Sequence, residues 1–178
     1  MIHLILGGAR SGKSTFAEKL AGSNNRAVFY IATATAGDEE MKQRIAHHQN
    51  QRPSEWQLIE EPFNLSSMIF ELGNSQNVIL IDCLTLWLSN WLCREKEAEK
   101  ASWKSEQELF LSSLEQSESN IYIVSNEVGS GIIPMGELTR RFVDRAGRLN
   151  QAVARIANEV TLVVAGLPLS LKETTTAK

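Results

Sequence analysis

Cysteine is scarce in this chain: its 178 residues include two, Cys83 and Cys93, with no Cys-x-x-Cys pair and no cluster of cysteine with histidine. That scarcity excludes a secreted fold built on disulfides, and it disfavours a zinc site. A strong excess of charge of one sign is missing as well, because the formal net charge is −3. Composition therefore gives no electrostatic reason to expect nucleic acid or an anionic membrane surface as a partner.

Long apolar runs are also missing. A helix that crosses a membrane needs about 20 consecutive, mostly apolar residues, and the longest stretches here fall far short of that length. The segment Met1–Leu6 has no basic n-region and runs directly into Gly7 and Gly8, so we expect no signal peptide. We therefore expect a cytoplasmic protein without a membrane span.

What the chain does contain is the composition of an average folded domain. Hydrophobic residues make up 43% and charged residues 22%, which excludes disordered, collagen-like and low-complexity proteins. A length of 178 residues fits one compact domain and is enough to bury a sizeable core. We assign residues 1–170 to that domain and residues 171–178 to a polar C-terminal tail.

Apolar runs of strand length recur along the chain, separated by segments with helical periodicity. Because these runs are apolar at every position, we expect both of their faces to be covered, as in a parallel sheet between helices. The predicted strands are Ile2–Leu6, Ala27–Ala32, Val78–Ile81, Ile121–Ser125 and Val160–Ala165. The predicted helices are Ser14–Ala21, Asp38–His48, Ser102–Leu114 and Glu137–Asn158.

Two of the predicted helices have a readable apolar face. The third uses Leu109, Phe110, Leu111 and Leu114, and the fourth uses Leu138, Phe142, Leu149, Val153 and Ile156. The charge-rich segment Glu95–Lys104 fits a solvated helix surface or a loop.

One motif carries phosphate chemistry. Residues 7–14 match the pattern G-x-x-x-x-G-K-[ST], after a predicted strand and before a predicted helix. In such a loop the backbone N–H groups and the helix N-terminus bind phosphate oxygens, Lys13 reaches the β- and γ-phosphates, and the Ser14 hydroxyl binds Mg²⁺. A glycine-rich turn beside an unrelated lysine is the alternative, which this context disfavours. The predicted phosphate-binding residues are Gly7, Gly8, Ala9, Arg10, Ser11, Gly12, Lys13 and Ser14.

The motif and the alternation of elements together predict a fold. We expect a phosphate-loop NTPase-like, three-layer α/β fold with a mostly parallel central sheet. Asp82, which ends the run Val-Ile-Leu-Ile-Asp, is a second candidate ligand of Mg²⁺, since a strand-end carboxylate next to the phosphate loop can hold the ion directly or through water. Many strands end in aspartate because it favours turns, so this reading of Asp82 stays open.

Two neighbouring histidines end the second predicted helix. Met41, Ile45 and His48 share its apolar face, whereas His47 shares a face with Gln43 and Arg44. His47 is therefore the better candidate for chemistry and His48 for a packed or supporting role. Spacing alone still favours two ordinary histidines, and we interpret His3, inside the first strand, as structural.

A larger set of motifs resembles one known family. These motifs are the phosphate loop, Tyr30–Ala34, Asp38–His48, Arg52-Pro53 with Trp56, Asp82–Thr85, Ser125–Gly129, Gly131–Pro134 and Arg140–Gln151. Together they resemble the bifunctional adenosylcobinamide kinase/adenosylcobinamide-phosphate guanylyltransferases of adenosylcobalamin biosynthesis, over about residues 1–166.

The resemblance implies two reactions. A nucleoside triphosphate, ATP or GTP, phosphorylates the aminopropanol hydroxyl of adenosylcobinamide, with Mg²⁺ as cofactor. GTP then transfers GMP to adenosylcobinamide phosphate, releasing pyrophosphate, through a guanylylated histidine that corresponds to His47 here. Neutral imidazole is a good nucleophile near neutral pH, which agrees with that assignment. The resemblance also implies a homotrimer.

The resemblance extends the candidate site beyond the phosphate loop. It implies nucleotide contacts from Thr33, Ala34 and Thr35 and from His48, Gln49, Asn50 and Gln51. Glu60 and Asp82 are candidate readers of guanine, because a carboxylate can accept hydrogen bonds from its N1–H and amino groups. For Asp82 this competes with the Mg²⁺ role, and some relatives carry Glu at that position. The loop Asn126–Gly129 has no assigned role.

Two other functions compete with this interpretation. A kinase with one activity would use the same phosphate loop and leave both histidines structural, but it gives no reason for the distal motifs. A non-catalytic nucleotide switch would bind nucleotide without turning over adenosylcobinamide.

Overall fold

The computed structural model describes residues 1–23, 26–35, 53–94 and 100–173. The predicted helix Asp38–His48, with both of its histidines, and the nucleotide-contact candidates Gln49, Asn50 and Gln51 lie outside these ranges.

Seven strands and five helices alternate along the described chain. The strands are β1 (Ile2–Gly7), β2 (Ala27–Ala32), β3 (Gln57–Glu60), β4 (Asn77–Asp82), β5 (Asn120–Asn126), β6 (Glu159–Val164) and β7 (Leu167–Lys172). The helices are α1 (Lys13–Gly22), α2 (Leu65–Leu72), α3 (Leu84–Arg94), α4 (Lys100–Gln116) and α5 (Glu137–Ile156).

All seven strands form one sheet in the order β3-β2-β4-β5-β1-β6-β7. Every neighbouring pair is parallel except β6 and β7, which are antiparallel. The predicted fold class, a three-layer α/β fold with a mostly parallel sheet, is therefore confirmed. Among the residues of these ranges, no helix is long and apolar enough to cross a membrane.

The strands bury both faces because side chains alternate across the sheet. Leu4 belongs to the core that α2, α3, α4 and α5 cover, whereas Ile5 belongs to the core that α1 covers. His3 also lies on the α1 side. Its Nε2 lies 2.8 Å from the Thr161 hydroxyl and its Nδ1 lies 3.1 Å from the Glu159 carboxylate, so its surroundings are those of a structural residue.

The core under α3 and α4 is aromatic. The ring of Trp87 packs against those of Trp103 and Phe110, with centroid separations of 4.9 and 4.8 Å. Within the predicted solvated segment Glu95–Lys104, residues 95–99 lie outside the described ranges, Ser102 and Lys104 are exposed on a helix, and Trp103 is 6% exposed. That segment looks solvated because charged residues surround its one large apolar side chain.

Two residues assigned to apolar faces are exposed. Leu109 is 56% exposed, although its neighbour Phe110 is fully buried, and Leu138 is 58% exposed at the start of α5. Four consecutive helical positions span the whole circumference of a helix, so Leu109, Phe110 and Leu111 cannot all face one core.

Four elements were not predicted, for identifiable reasons. The strands β3 and β7 lie at the two edges of the sheet, and most of their residues are exposed, so neither reads as a buried run. The sequence of α3 does contain a helical pattern, which the predicted helices left out. Its leucines Leu84, Leu88 and Leu92 recur at every fourth position and are buried. The helix α2 has buried Leu65 and Ile69 at the same spacing.

The polar tail begins later than predicted, because the edge strand β7 extends to Lys172. Leu171 and Lys172 belong to β7, and Lys172 is aligned with Val160 of β6. The Lys172 ammonium donates hydrogen bonds of 3.0 Å to the carbonyls of Ala154 and Arg155, in the last turn of α5. A cation there is favourable because the carbonyl groups at a helix C-terminus carry partial negative charge.

The neighbours Phe110 and Leu109 provide a matched test of this core. We expect Phe110→Ala to lower the free energy of unfolding by about 3–5 kcal/mol, because it leaves a cavity beside Trp87. Leu109→Ala should change it by about 0.5 kcal/mol or less, as is usual for an exposed position. Denaturant unfolding of both variants measures this, and equal losses would contradict the orientation of α4.

Candidate functional site

The carboxyl ends of the parallel strands bring the predicted site residues to one edge of the sheet. The pairs of aligned residues there are Gly7 with Asn126, Ala32 with Asp82, Ala32 with Glu60, and Asp82 with Val124. The strand β4, which ends in Asp82, is separated from β1 and its phosphate loop by β5. Strand order is a long-range property, so the residues around Asp82 did not indicate it.

The phosphate loop has the backbone that its glycines predict. Gly12 has a φ of +91°, a left-handed conformation that side chains disfavour, and a Cβ there would lie 3.2 Å from the Cα of Gly166. The helix α1 begins at the next residue, Lys13, so its first N–H groups lack partners within the helix. The arrangement presents backbone donors to an anion.

The polar side chains of the loop have spare capacity for a ligand. The Lys13 ammonium donates a hydrogen bond of 3.2 Å to the carbonyl of Gly8, so it lies back over the loop. The Ser11 hydroxyl is buried and has no hydrogen-bond partner. Ser14 is half-buried in the first turn of α1. Hydroxyl and ammonium donors around an anion-binding loop match the oxygens of a triphosphate.

A turn that the sequence did not indicate supports the phosphate loop. Ala165 and Gly166 connect β6 to β7, with φ values of 52° and 79°. The Gly166 N–H donates a hydrogen bond of 2.8 Å to the carbonyl of Ser11. The short β6–β7 hairpin therefore fixes the backbone of the phosphate loop from outside the motif itself.

Asp82 is held in place at the end of β4. Its carboxylate accepts a hydrogen bond of 2.9 Å from the Tyr30 hydroxyl, and its carbonyl accepts one of 3.1 Å from the Thr33 N–H. The pKa of the adjacent Cys83 thiol is raised to about 11, first by burial and then by the Asp82 charge, while the Lys13 charge opposes the shift. The charges of Lys13 and Asp82 therefore both act on the Cys83 thiol at this edge of the sheet.

The turn Thr33-Ala34-Thr35 follows β2 at the same edge. The Thr33 side chain is fully buried, and its hydroxyl exchanges hydrogen bonds of 2.7 and 2.8 Å with the Cys83 backbone. The Asn90 amide donates to the Thr33 carbonyl at 2.7 Å and lies 3.2 Å from the Thr35 hydroxyl. Thr33 is thus committed to structure, and the exposed Thr35 is the side chain of this turn that a nucleotide can reach.

Glu60 ends β3 as an exposed residue. It is aligned with Ala32 on the neighbouring strand, as Asp82 is on the other side. The structure therefore places both candidate guanine readers at the edge that carries the phosphate loop, with Glu60 farther from that loop along the sheet.

A buried polar network between α3, β5 and α5 is a part of the site that local sequence patterns did not indicate. The Thr85 hydroxyl accepts a hydrogen bond of 2.7 Å from the Asn126 N–H, and the Asn150 amide donates to the Asn126 carbonyl at 3.3 Å. The Ser125 hydroxyl donates to Asn150 at 2.7 Å. Asn126 is thereby fixed between Gly7 and Asp82, and its side-chain oxygen is buried without a hydrogen-bond partner. These residues belong to motifs that carry the family resemblance, but their spacing along the chain did not indicate that they meet in the fold.

The residues present fit a magnesium ion that is bound together with a nucleotide. In the part of the chain that the structure describes, no three His, Cys, Asp or Glu side chains cluster as a metal site. Mg²⁺ bound to a triphosphate needs only one or two protein oxygens, because phosphates and water complete its octahedron. The Ser14 hydroxyl and the Asp82 carboxylate can supply them.

Comparison with known proteins gives concordant matches. Residues 3–171 match the family model described as cobinamide kinase / cobinamide phosphate guanyltransferase. The chain is 48% identical to the bifunctional adenosylcobalamin biosynthesis protein CobP of Pseudomonas aeruginosa, covering 97% of this chain and 98% of that protein. It is 37% identical to the corresponding protein CobU of Escherichia coli K12, covering 97% of this chain and all of that one (100%).

A solved structure shares the fold at low sequence identity. The protein of project PH0250 from Pyrococcus horikoshii OT3 superimposes with a TM-score of 0.56 at 6% identity, covering 98% of this chain and 87% of that one. At that identity the likeness concerns the fold alone.

The two cysteines test the burial of the Asp82–Cys83 strand end. Because burial raises the pKa of Cys83 to about 11, its thiol stays protonated and inaccessible, whereas Cys93 is exposed. We expect a maleimide at about pH 8, below the usual thiol pKa of about 8.5, to modify Cys93 and spare Cys83 in the folded protein. Peptide mass mapping reads this out, with denatured protein as the control in which both react. Equal labelling in the folded protein would contradict the geometry.

Proposed function

The chain belongs to the cobinamide kinase / cobinamide phosphate guanyltransferase family, and we propose that one phosphate loop serves both of its reactions. The protein is a bifunctional enzyme of adenosylcobalamin biosynthesis. The observation that carries the proposal is the convergence of the phosphate loop, Asn126 and Asp82 on one sheet edge. The sequence contains one match to the phosphate-loop pattern, at residues 7–14.

The kinase step is an in-line phosphoryl transfer. The acceptor hydroxyl attacks the γ-phosphorus of the nucleotide, and the bond from that phosphorus to the β,γ-bridging oxygen breaks. The nucleoside diphosphate leaves, and the hydroxyl proton passes to solvent water. The backbone donors of the loop hold the β- and γ-phosphates, and Lys13 neutralises the charge that shifts to the leaving oxygen. Bound Mg²⁺ would add Lewis-acid stabilisation of the same oxygens. Ser14 and Asp82 are the residues that would hold it.

The guanylyl transfer proceeds in two displacements. An imidazole nitrogen of His47 attacks the α-phosphorus of GTP, a P–N bond forms, and pyrophosphate leaves. The acceptor phosphate then attacks the same phosphorus, the P–N bond breaks, and adenosylcobinamide-GDP is released. Support for His47 comes from its polar helical face and from the family resemblance. Thr35, the last described residue before the segment that contains His47, lies at the edge that carries the phosphate loop.

The positions of Asp82 and Glu60 along the sheet favour a different role for each carboxylate. The end of β4 is separated from the phosphate loop by one strand, whereas the end of β3 lies two strands farther along the sheet. A guanine base lies at the far end of a nucleotide from its γ-phosphate. We therefore assign Asp82 to the metal and phosphate end and Glu60 to the base.

Substitutions of Lys13 and His47 separate the two steps. We expect Lys13→Ala to lower kcat of the kinase reaction by about 100-fold or more, since a donor aimed at transition-state charge contributes about 3 kcal/mol. His47→Ala should abolish the covalent GMP adduct and guanylyl transfer while retaining the kinase reaction. Incubation with GTP labelled at the α-phosphate, followed by adduct mapping, measures the second effect.

His48→Ala is the matched control for that experiment, and it should retain the adduct. The adduct should be labile in acid and stable in base, because protonated imidazole is the better leaving group. A label that maps to His48, or that survives in His47→Ala, would rule out the assigned nucleophile. If the unaltered protein phosphorylated cobinamide but formed no GMP adduct, it would be a kinase with a single activity.

The division between Asp82 and Glu60 is testable with conservative variants. We expect Asp82→Asn to raise the Mg²⁺ concentration needed for half-maximal kinase activity and to leave the preference among purine bases unchanged. Glu60→Gln should weaken discrimination of GTP from ATP in adduct formation by about 10-fold, as expected for one lost pair of hydrogen bonds. Steady-state titrations of metal and of both nucleotides measure this. The reverse pattern would exchange the two roles.

A further inference from the structure

A groove with a volume of about 660 Å³ runs between α5 and the β1–β6–β7 side of the sheet. Its floor is apolar and includes Leu6, Val160 and Leu171, while Glu127, Ser130 and Gln151 are among its polar lining. Apolar walls with a few polar groups are typical of sites for small molecules, and the volume is in their usual range.

Two residues that line the groove adjoin the first residue of the phosphate loop. Leu6, in its floor, directly precedes Gly7, the first residue of the loop. The Glu127 N–H, in its wall, donates a hydrogen bond of 3.1 Å to the carbonyl of Gly7. A molecule that lies in the groove can therefore extend one arm to the edge where the γ-phosphate would be held.

A glycine keeps the groove open. Gly147 lies in the interior of the 20-residue helix α5 and lines the groove. A Cβ at this position would meet nothing within 4 Å, and its φ is not in the left-handed region. Glycine inside a helix is less favourable than alanine, so neither backbone conformation nor packing in the described structure explains it. The missing side chain leaves open space in the wall of the groove, where a ligand can lie.

We infer that this groove binds the corrinoid acceptor, an inference that rests on the proposed function. A corrinoid has an apolar ring edge bearing amide side chains, and its hydroxyl arm must reach the γ-phosphate. The apolar floor suits the ring edge, while the Glu127 carboxylate can accept amide N–H groups and Gln151 can both donate and accept. The groove takes the ring edge and directs the hydroxyl arm toward Gly7.

Substitution of Gly147 by alanine and leucine tests the inference in the full-length protein. We expect Gly147→Ala to keep or raise the melting temperature, because alanine favours the helix, yet to raise KM for cobinamide about 10-fold or more, the usual effect of one misplaced methylene in a pocket. Gly147→Leu should raise it further. KM for ATP and the rate of GMP adduct formation without acceptor should stay unchanged in both variants.

Controls separate failure of this inference from failure of the proposed function. Arg155→Ala, on the exposed flank of α5, should leave all constants unchanged. Equilibrium dialysis, followed through the visible absorbance of the corrinoid, should show the same loss of affinity as KM. A folded Gly147→Leu variant with wild-type affinity for cobinamide would overturn the inference, as would a change in its oligomeric state. Absence of cobinamide turnover in the unaltered protein would instead overturn the proposed function.

Discussion

The parallel pairing of β2, β4, β5 and β1 is the constraint on which the rest of the structure depends. Parallel strands place all their carboxyl ends at one edge of the sheet. The four loops that follow these strands therefore converge there, although they are far apart in the sequence. The register then aligns Gly7 with Asn126 and Asp82 with Ala32. The candidate site is therefore a consequence of the sheet, and the loops contribute the chemical groups.

Hydrogen bonds hold the backbone at two strand ends of this edge in place. The Asn126 backbone is held on both sides by Thr85 and Asn150, and the end of β4 is held through Thr33 and Tyr30. Buried networks of this kind fix a single geometry, since any displaced member would leave a buried polar group unpaired. Among the described residues of this edge, the Ser11 hydroxyl and the Asn126 side-chain oxygen are buried without a hydrogen-bond partner, and the Lys13 ammonium lies over the phosphate loop. A preorganised edge of this type can stabilise charge that develops on a phosphate.

Local patterns in the sequence predicted the local parts of this account. The apolar runs located five strands, and the phosphate-loop motif located the turn before α1, because both are determined by neighbouring residues. The edge strands β3 and β7 escaped prediction because their residues are mostly exposed and lack an uninterrupted apolar pattern. The position of β5 between β1 and β4, the polar network around Asn150 and the support that Gly166 gives to Ser11 depend on pairing between distant segments. A single sequence does not reveal such pairing.

The central claim is that one nucleotide site at this edge performs both reactions. The most direct measurement is inhibition of the two half-reactions by a non-hydrolysable ATP analogue, with formation of the GMP adduct and phosphorylation of cobinamide assayed separately. The account predicts inhibition that is competitive with GTP in the first assay and with ATP in the second, with the same inhibition constant. Competitive inhibition of the kinase with no effect on adduct formation would show two separate nucleotide sites and would contradict the account.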